Sequence, residues 1–507
     1  MSPFWLAHAD PATAWAHQAW SELDSRTDRD KTVVVFPIHG FADHGLGLPL
    51  DIEETVGSAV LRAAVGALTG VAPVLVLPPL RLCLAPYPHT FFGVDPETAL
   101  ASLREIAAGV KAAGFARLVF FNTSPWNAEL LSTAALDLRV RQNLYPYLIG
   151  SAGIGLGFHP AAETRREVQA VAVSLLGKAP AGASRPADVR DADFRPGHYA
   201  QPAPVVLDAS LDGPALLTAA AERLAGLLAE IAVHRLSDQP IPAPKPVVPA
   251  AAVLWPACRP RTLAALTRDE LEKIPGKDSA LVIVTTGAIE QHGHHLPLGT
   301  DAMLGQIWLA RALAKLPAGA PVYVAPPITY GKSEEHADFT GTLTLSATTL
   351  RQQLLALATQ VKALGFRQLA ILNTHGGNSA VVVATVREIQ TGLGLRAGLL
   401  SGYYKPAQDA QETAFGFHAG EWETSLLLAD APELVHMDRA VCEYPARLED
   451  PGLLRPEAAP AVFAWKTRDL SQSGVMGNAT LATAEKGRRW LDEASTALAR
   501  KIAGLLA

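Results

Sequence analysis

Residues 280–305 read ALVIVTTGAIEQHGHHLPLGTDAMLG. The β-branched run from Ala280 to Thr286 predicts a short buried strand that stops at Gly287 and enters a loop. Downstream, Met303 to Leu316 carries helical spacing, residues 322–328 (VYVAPPI) read as a second strand, and a long helix begins near Ser346 or Thr348 and runs to Leu364. Gln368 to Leu372 is a third strand that opens into NTHGGN, followed by a helical run from Ser379 to Gln390 and a fourth strand from Arg396 to Leu400. Strands alternating with helices of this length predict a layered α/β domain with a largely parallel sheet. The loops at the carboxyl ends of such strands are where a site is expected.

The first half repeats the plan. Residues 31–57, KTVVVFPIHGFADHGLGLPLDIEETVG, align with the opening stretch so that His44 meets His292 and Leu48-Pro49-Leu50 meets Leu296-Pro297-Leu298. GFARLVFFNTSPWN at 114–127 aligns with GFRQLAILNTHGGN at 365–378, both halves carry a strand ending in Pro-Pro, and both close with an Ala/Leu-rich helix. This is the mark of a tandem duplication. The proline-rich stretch from Pro242 to Ala252 reads as a stiff linker, which divides the chain into domains at 1–245 and 246–507, and Gly177 to Pro202 reads as a loop within the first. Duplicated domains are expected to keep a two-fold contact, here as an intrachain pseudo-dimer.

Composition narrows the partners. With 507 residues, 49% apolar and 18% charged, the chain suits large packed cores. The net charge of -6 offers no basic surface for a nucleic-acid backbone, so no nucleic acid is expected. Three cysteines far apart, Cys83, Cys258 and Cys442, form neither a thiolate cluster nor a disulfide framework. No signal-like or membrane-spanning apolar run is visible, and the expectation is a cytoplasmic protein with no membrane partner.

Three clusters carry the chemistry. Glu290, His292 and Asp301 lie in one strand-to-loop turn, where carboxylates and imidazoles can converge on divalent cations and an aspartate can bridge two of them. His375 follows a strand in the second cluster, with Asn378 placed to orient the loop or a ligand. In the third, His418, Glu421 and Glu423 open an apolar helical run. Glu421 and Glu423 point to different sides of that helix and so have different jobs, and His418 or one of these glutamates can protonate a leaving nitrogen. Histidine and carboxylate without thiolate suit two ions of Zn, Mn or Fe. Tyr330, Ser333 to His336 and Trp422 are expected on the substrate side, with His336 able to touch substrate.

The three blocks resemble those of the creatininase (creatinine amidohydrolase) family, whose marks are E-Q-H-G-x-H-L-P-L-x-x-D, NxHGGN and HAGExET. The resemblance covers Leu254 to Ala507, and a weaker form of it covers the first half. It implies two tandem three-layer α/β/α domains, a dinuclear site, a homo-oligomer such as a hexamer, and hydrolysis of a cyclic amide, a formamide or a short peptide. It implies Glu290, His292, bridging Asp301, His375 and Glu423 as metal ligands. His418 would stabilise or protonate the reacting group, and Glu421, the other catalytic candidate, competes with Glu423 for the ligand place. Gly377 stands where the creatinine-hydrolysing version has a metal-binding glutamate, which points to a different small-molecule amide. In the first half the pattern is degenerate: Ala42 stands for Glu290, Glu53 for Asp301 and Ser124 for His375, while His44 remains and His159 and Glu163 echo the third block. The competing expectations are a metallopeptidase and a non-catalytic binding or assembly protein stabilised by metal.

Overall fold

The computed structural model describes residues 6, 8–44, 47–81, 84, 90–158, 165–177, 207–208, 210–236, 239–252, 259–400, 404–445, 447–449, 452–457 and 459–506. Four strands form the first sheet: β1 (Val33–Ile38), β2 (Val74–Val76), β3 (Arg117–Asn122) and β4 (Tyr145–Gly150). The second sheet holds β5 (Leu281–Thr286), β6 (Val322–Val324), β7 (Gln368–Asn373) and β8 (Arg396–Leu399). The orders are β2-β1-β3-β4 and β6-β5-β7-β8, all parallel, so the two halves share one topology.

Helices cover both faces of each sheet. In the first half α1 (Ile52–Leu68), α4 (Arg165–Leu176) and α5 (Gly213–Val233) pack together, and α2 (Pro96–Ala112) and α3 (Ala128–Gln142) pair. The second half has α6 (Thr300–Ala314), α9 (Glu421–Asp430) and α10 (Ala484–Leu506) in one layer, and α7 (Ala347–Ala363) with α8 (Ser379–Glu388) in the other. The helix expected near Ser346 begins there: the Ser346 hydroxyl caps the Thr349 amide.

Strand alternation sorts the first sheet into two cores. Val33, Val35, Val119 and Phe121 face α1, α4 and α5, whereas Val34, Phe36, Leu118 and Phe120 join a core that runs on into the second half. This explains why a six-residue strand is buried at every position. On the shared side Glu105 of α2 accepts hydrogen bonds from the Ser346 amide and the Thr349 hydroxyl at the start of α7, each at 2.9 Å.

The halves also exchange arms. Ala14 bridges Val76 of its own sheet, after which the Ala16 and Gln18 carbonyls accept from the Gly299 and Leu298 amides of the other half at 2.8 and 2.9 Å. In the same way Thr262 bridges Val324, and Ala264 and Leu266 accept from Asp51 and Leu50 at 2.9 and 3.0 Å. Equivalent residues make equivalent contacts, which is the geometry of an isologous pseudo-dimer. Residues 239–252 carry neither helix nor strand, and the Lys245 amide donates to the Ala67 carbonyl at 2.8 Å. Residues 178–202, His159 and Glu163 lie outside the described residues. Among the described residues no helix is long and apolar enough to cross a membrane.

Candidate metal centre

The second sheet reverses direction of growth between β5 and β7, since β6 lies on one side of β5 and β7 on the other. Open parallel sheets bind ligands at that switch point, beyond the carboxyl ends of the strands. Thr286 and Asn373 are register partners there, so the loops carrying Glu290 and His375 leave the sheet side by side. Gly293 makes the turn at φ +69, and a Cβ at that position would fall 2.6 Å from Val475 Cγ2.

His375 Nδ1 lies 3.2 Å from Glu290 Oε1 and 3.2 Å from Asp301 Oδ2. The other oxygen of Asp301 stands 3.4 Å from His292 Nε2, which is 3.9 Å from Glu423 Oε2. Asp301 thus divides its two oxygens between two imidazoles. Glu290, Asp301 and His375 can hold a cation, as can His292, His418 and Glu423; in each group one ligand atom per residue lies within 4.8 Å of the others. Two features orient the rings: His375 Nε2 donates to the Lys332 carbonyl at 2.8 Å, and His292 Nδ1 donates to the Glu290 carbonyl at 3.2 Å.

The donor set fits divalent cations. Glu290 Oε2, His292 Nε2 and Asp301 Oδ2 are buried without a hydrogen-bond partner, a costly state for polar atoms unless a ligand completes them. Burial, then the charge of Asp301, hold the Glu290 carboxyl above the usual range. Burial alone would discharge His292, but Asp301, Glu423 and Glu290 overcome it and push the ring up to about 10. Burial likewise opposes a proton on His375, and Glu290 and Asp301 outweigh it, so that ring too is held well above the ordinary histidine range. The cluster therefore attracts positive charge at the points where cations would sit.

Other expected site residues fall in different places. His418 reaches the cluster, with Nδ1 3.8 Å from Glu290 Oε1, and His336 joins it, with Nε2 3.6 Å from the same oxygen. Glu421 does not: its carboxylate contacts Lys486 Nζ and accepts from Gln408 Nε2 at 3.2 Å. Trp422 packs in an aromatic core with Trp308, Tyr404 and Trp490. Tyr330 donates its hydroxyl to the Pro78 carbonyl of the first half at 2.6 Å, and so braces the two halves. Asn378 is wholly buried, bonding the Gly287 carbonyl and the Lys332 amide at 2.9 and 2.8 Å, which gives it the loop-orienting role. Sequence reading passed over Gln291, whose place in the first block is its one signal, and Thr467, which no motif marks.

A side chain at position 377 has no room. Its Cβ would lie 2.0 Å from Glu335 Oε1 and 2.4 Å from the Lys332 carbonyl oxygen. In the first half the backbone pattern survives without the ligands: the Ala42 amide bonds the Leu50 carbonyl as Glu290 bonds Leu298. His44 Nε2 stands 3.0 Å from Glu53 Oε1, and Ser124 offers no imidazole. Among the described residues, all groups able to hold a metal lie in the second half.

The family model described as "Creatininase: Creatinine amidohydrolase" matches residues 16–181 and again 264–502. The chain belongs to the creatininase family. It is 34% identical over 218 residues to the mycofactocin precursor peptide peptidase of Mycobacterium ulcerans (strain Agy99), a match covering 41% of this chain and 78% of that protein. The creatinine amidohydrolase of Pseudomonas putida is 29% identical over 249 residues, covering 45% and 90%. The 3-dehydro-scyllo-inosose hydrolase of Thermotoga maritima is 28% identical over 237 residues, covering 43% and 74%. A solved structure named "Creatininase Mn" aligns at 26% identity with TM-score 0.41, over 48% of this chain and 98% of its own. This creatininase-family chain is a hydrolase whose second half carries the clustered ligands of a divalent-metal amidohydrolase.

Proposed function

We propose that the chain hydrolyses the carbon–nitrogen bond of a small amide, either a cyclic amide or a formamide, at a dinuclear centre in its second half. The carrying observation is Asp301, whose oxygens are shared between His375 and His292. Glu290, Asp301 and His375 would hold one ion, and His292, Asp301 and Glu423 the other, the metal being zinc, manganese or iron(II). Bound there, the ions supply Lewis acidity that acidifies water and stabilises charge on the carbonyl oxygen. The chain's own part is orientation: His375 is pinned through the Lys332 carbonyl, His292 through the Glu290 carbonyl, and Glu423 through the Ala419 amide at 2.6 Å.

The first half acts as a cover. Its arm lays Trp20 on His294 at 4.7 Å between ring centroids, inside the block that carries Glu290 and His292. We place the domain boundary near residue 245, and expect a cytoplasmic homo-oligomer of these pseudo-dimers. A second reading, cleavage of a short peptide, is favoured by the 34% identity to a peptide peptidase. A screen of the metal-reconstituted full chain against cyclic amides, formamides, ureido compounds and short peptides tests both. Hydrolysis of a non-peptide amide, lost on chelation and in Glu290→Gln, supports the first reading. Turnover of peptides alone replaces it with the second, and bound metal with no turnover by any class leaves a binding protein.

A further inference from the structure

One side chain, Gln291, touches both histidines that overhang Glu290. Its Oε1 accepts from the Gly293 amide at 2.9 Å and its Nε2 donates to the Gly474 carbonyl at 3.1 Å, which fixes which end of the amide is which. Gly474 is at φ +90, and a Cβ there would fall 1.9 Å from Gln291 Oε1, so the backbone is shaped around this amide. The same Nε2 lies 2.9 Å from His336 Nδ1 and 2.9 Å from His418 Nε2.

The ambiguity resolves on one atom. His418 Nε2 is also 2.9 Å from the Gln291 backbone carbonyl, and a carbonyl oxygen only accepts, so that ring nitrogen carries the proton. Gln291 then cannot donate to it, and its remaining N–H goes to His336 Nδ1. The Thr467 hydroxyl lies 2.7 Å from the same nitrogen and 2.9 Å from the Glu335 carbonyl; its single proton turns to Nδ1, since a bare oxygen facing a bare nitrogen at 2.7 Å would repel. Gln291 and Thr467 then both donate to His336 Nδ1, and His418 donates to the Gln291 backbone carbonyl.

We propose that Gln291 is a positioning residue that holds both rings as the Nε2–H form, so that His336 turns an N–H, and His418 a lone pair, toward the Glu290 side of the cluster. The rings stack at 4.3 Å, with His336 Nε2 3.6 Å and His418 Nδ1 3.8 Å from Glu290 Oε1. His336 is then the catalytic donor to the substrate oxygen as charge gathers on it, and its proton stays on nitrogen throughout. His418 Nδ1 serves as acceptor or ligand beside His292 and Glu423. The grouping of Glu290, His336 and His418 is accordingly no third metal site, because a protonated nitrogen does not ligate. The role of His336 rests on the dinuclear hydrolase reading; the proton assignment does not.

The test is ¹⁵N-histidine NMR on the zinc-reconstituted full chain, with the two rings assigned from His336→Gln and His418→Gln. Expected are a protonated Nε2 and a bare Nδ1 on His336, and their exchange in Gln291→Glu, whose carboxylate can only accept. Phosphate binding to the same zinc-loaded protein, as a tetrahedral oxyanion probe, should weaken about tenfold or more in His336→Ala with zinc content unchanged. A bare or zinc-bound His336 Nε2 overturns the proposal, as does unchanged phosphate affinity. Failure to bind zinc in the wild type would instead sink the hydrolase reading, and the proton assignment would then be read on the metal-free chain.

Discussion

Lys486 meets the carboxylate of Glu421, while Glu423, in the same helical turn, faces His292 at 3.9 Å. Residues two apart on a helix point to nearly opposite sides, so one glutamate serves the layer of α10 and the other the metal centre. Glu423→Gln should therefore lower bound metal and abolish turnover while leaving the fold intact. Glu421→Gln should keep its metal and lose about 1–3 kcal/mol of stability, because the buried carboxylate partner of Lys486 is gone. Metal analysis beside urea unfolding of the two variants decides it, and equal metal loss in both would show that the helix start acts as one unit.

His292 and His375 hold protons against burial because Asp301, Glu290 and Glu423 surround them. A cation that ligates these rings must expel the protons, so metal affinity should rise with pH and binding should release protons into a weak buffer. Zinc at about a hundred times its dissociation constant should raise unfolding stability by about 2.7 kcal/mol. Asp301→Asn and His375→Ala should lose both responses. Calorimetry in buffers of different ionisation enthalpy measures the proton release directly.

Gly377→Ala makes a different kind of demand. The new Cβ meets the mobile end of Glu335 at 2.0 Å, and also the Lys332 carbonyl at 2.4 Å, which is backbone. Overpacking of this sort costs about 1–3 kcal/mol. The same carbonyl accepts the His375 Nε2 proton, so its displacement should weaken metal binding about 10–100-fold. Adding Glu335→Ala removes the flexible clash alone, and the double variant should stay weak. Full recovery would show that the Lys332 contact carries nothing.

What the sequence displayed and what it concealed follow from range. Strand ends and their loops are local, so the places of Glu290, His292 and His375 at the mouths of β5 and β7 were legible, as was the shared topology of the halves. The repeated blocks also pointed to the pseudo-dimer, whereas the exchanged arms at Ala14 and Thr262 came from the structure. Side-chain partners are not local. Tyr330 ends on Pro78 of the other half, and Trp422 packs with Trp308 and Trp490, partners that lie far away in sequence. The cluster beside Glu290 draws Gln291, His336, His418 and Thr467 from four separate segments, a convergence that no spacing reports.

The first half keeps a buried charge network of its own. Glu54 accepts from Arg81 Nε and Nη2 and lies 3.1 Å from His8 Nε2, with Glu54 and Arg81 almost wholly buried. Burial would raise the Glu54 carboxyl, but Arg81 and His8 drive it well below its usual 4.5. A carboxylate lowered in the folded state contributes stability that is complete above pH 4.5 and is lost as pH falls toward the folded value. Glu54→Gln takes the Glu54 charge away from the buried Arg81 guanidinium, which should cost about 3–5 kcal/mol at pH 7. The variant should also lose part of the acid sensitivity of the wild type below pH 4.5, so the two unfolding midpoints converge on acidification. Metal binding in the second half should be unaffected, since the network lies in the first half. Parallel midpoints across the acid range would show that Glu54 is no more strongly ionised in the folded chain than in the unfolded one.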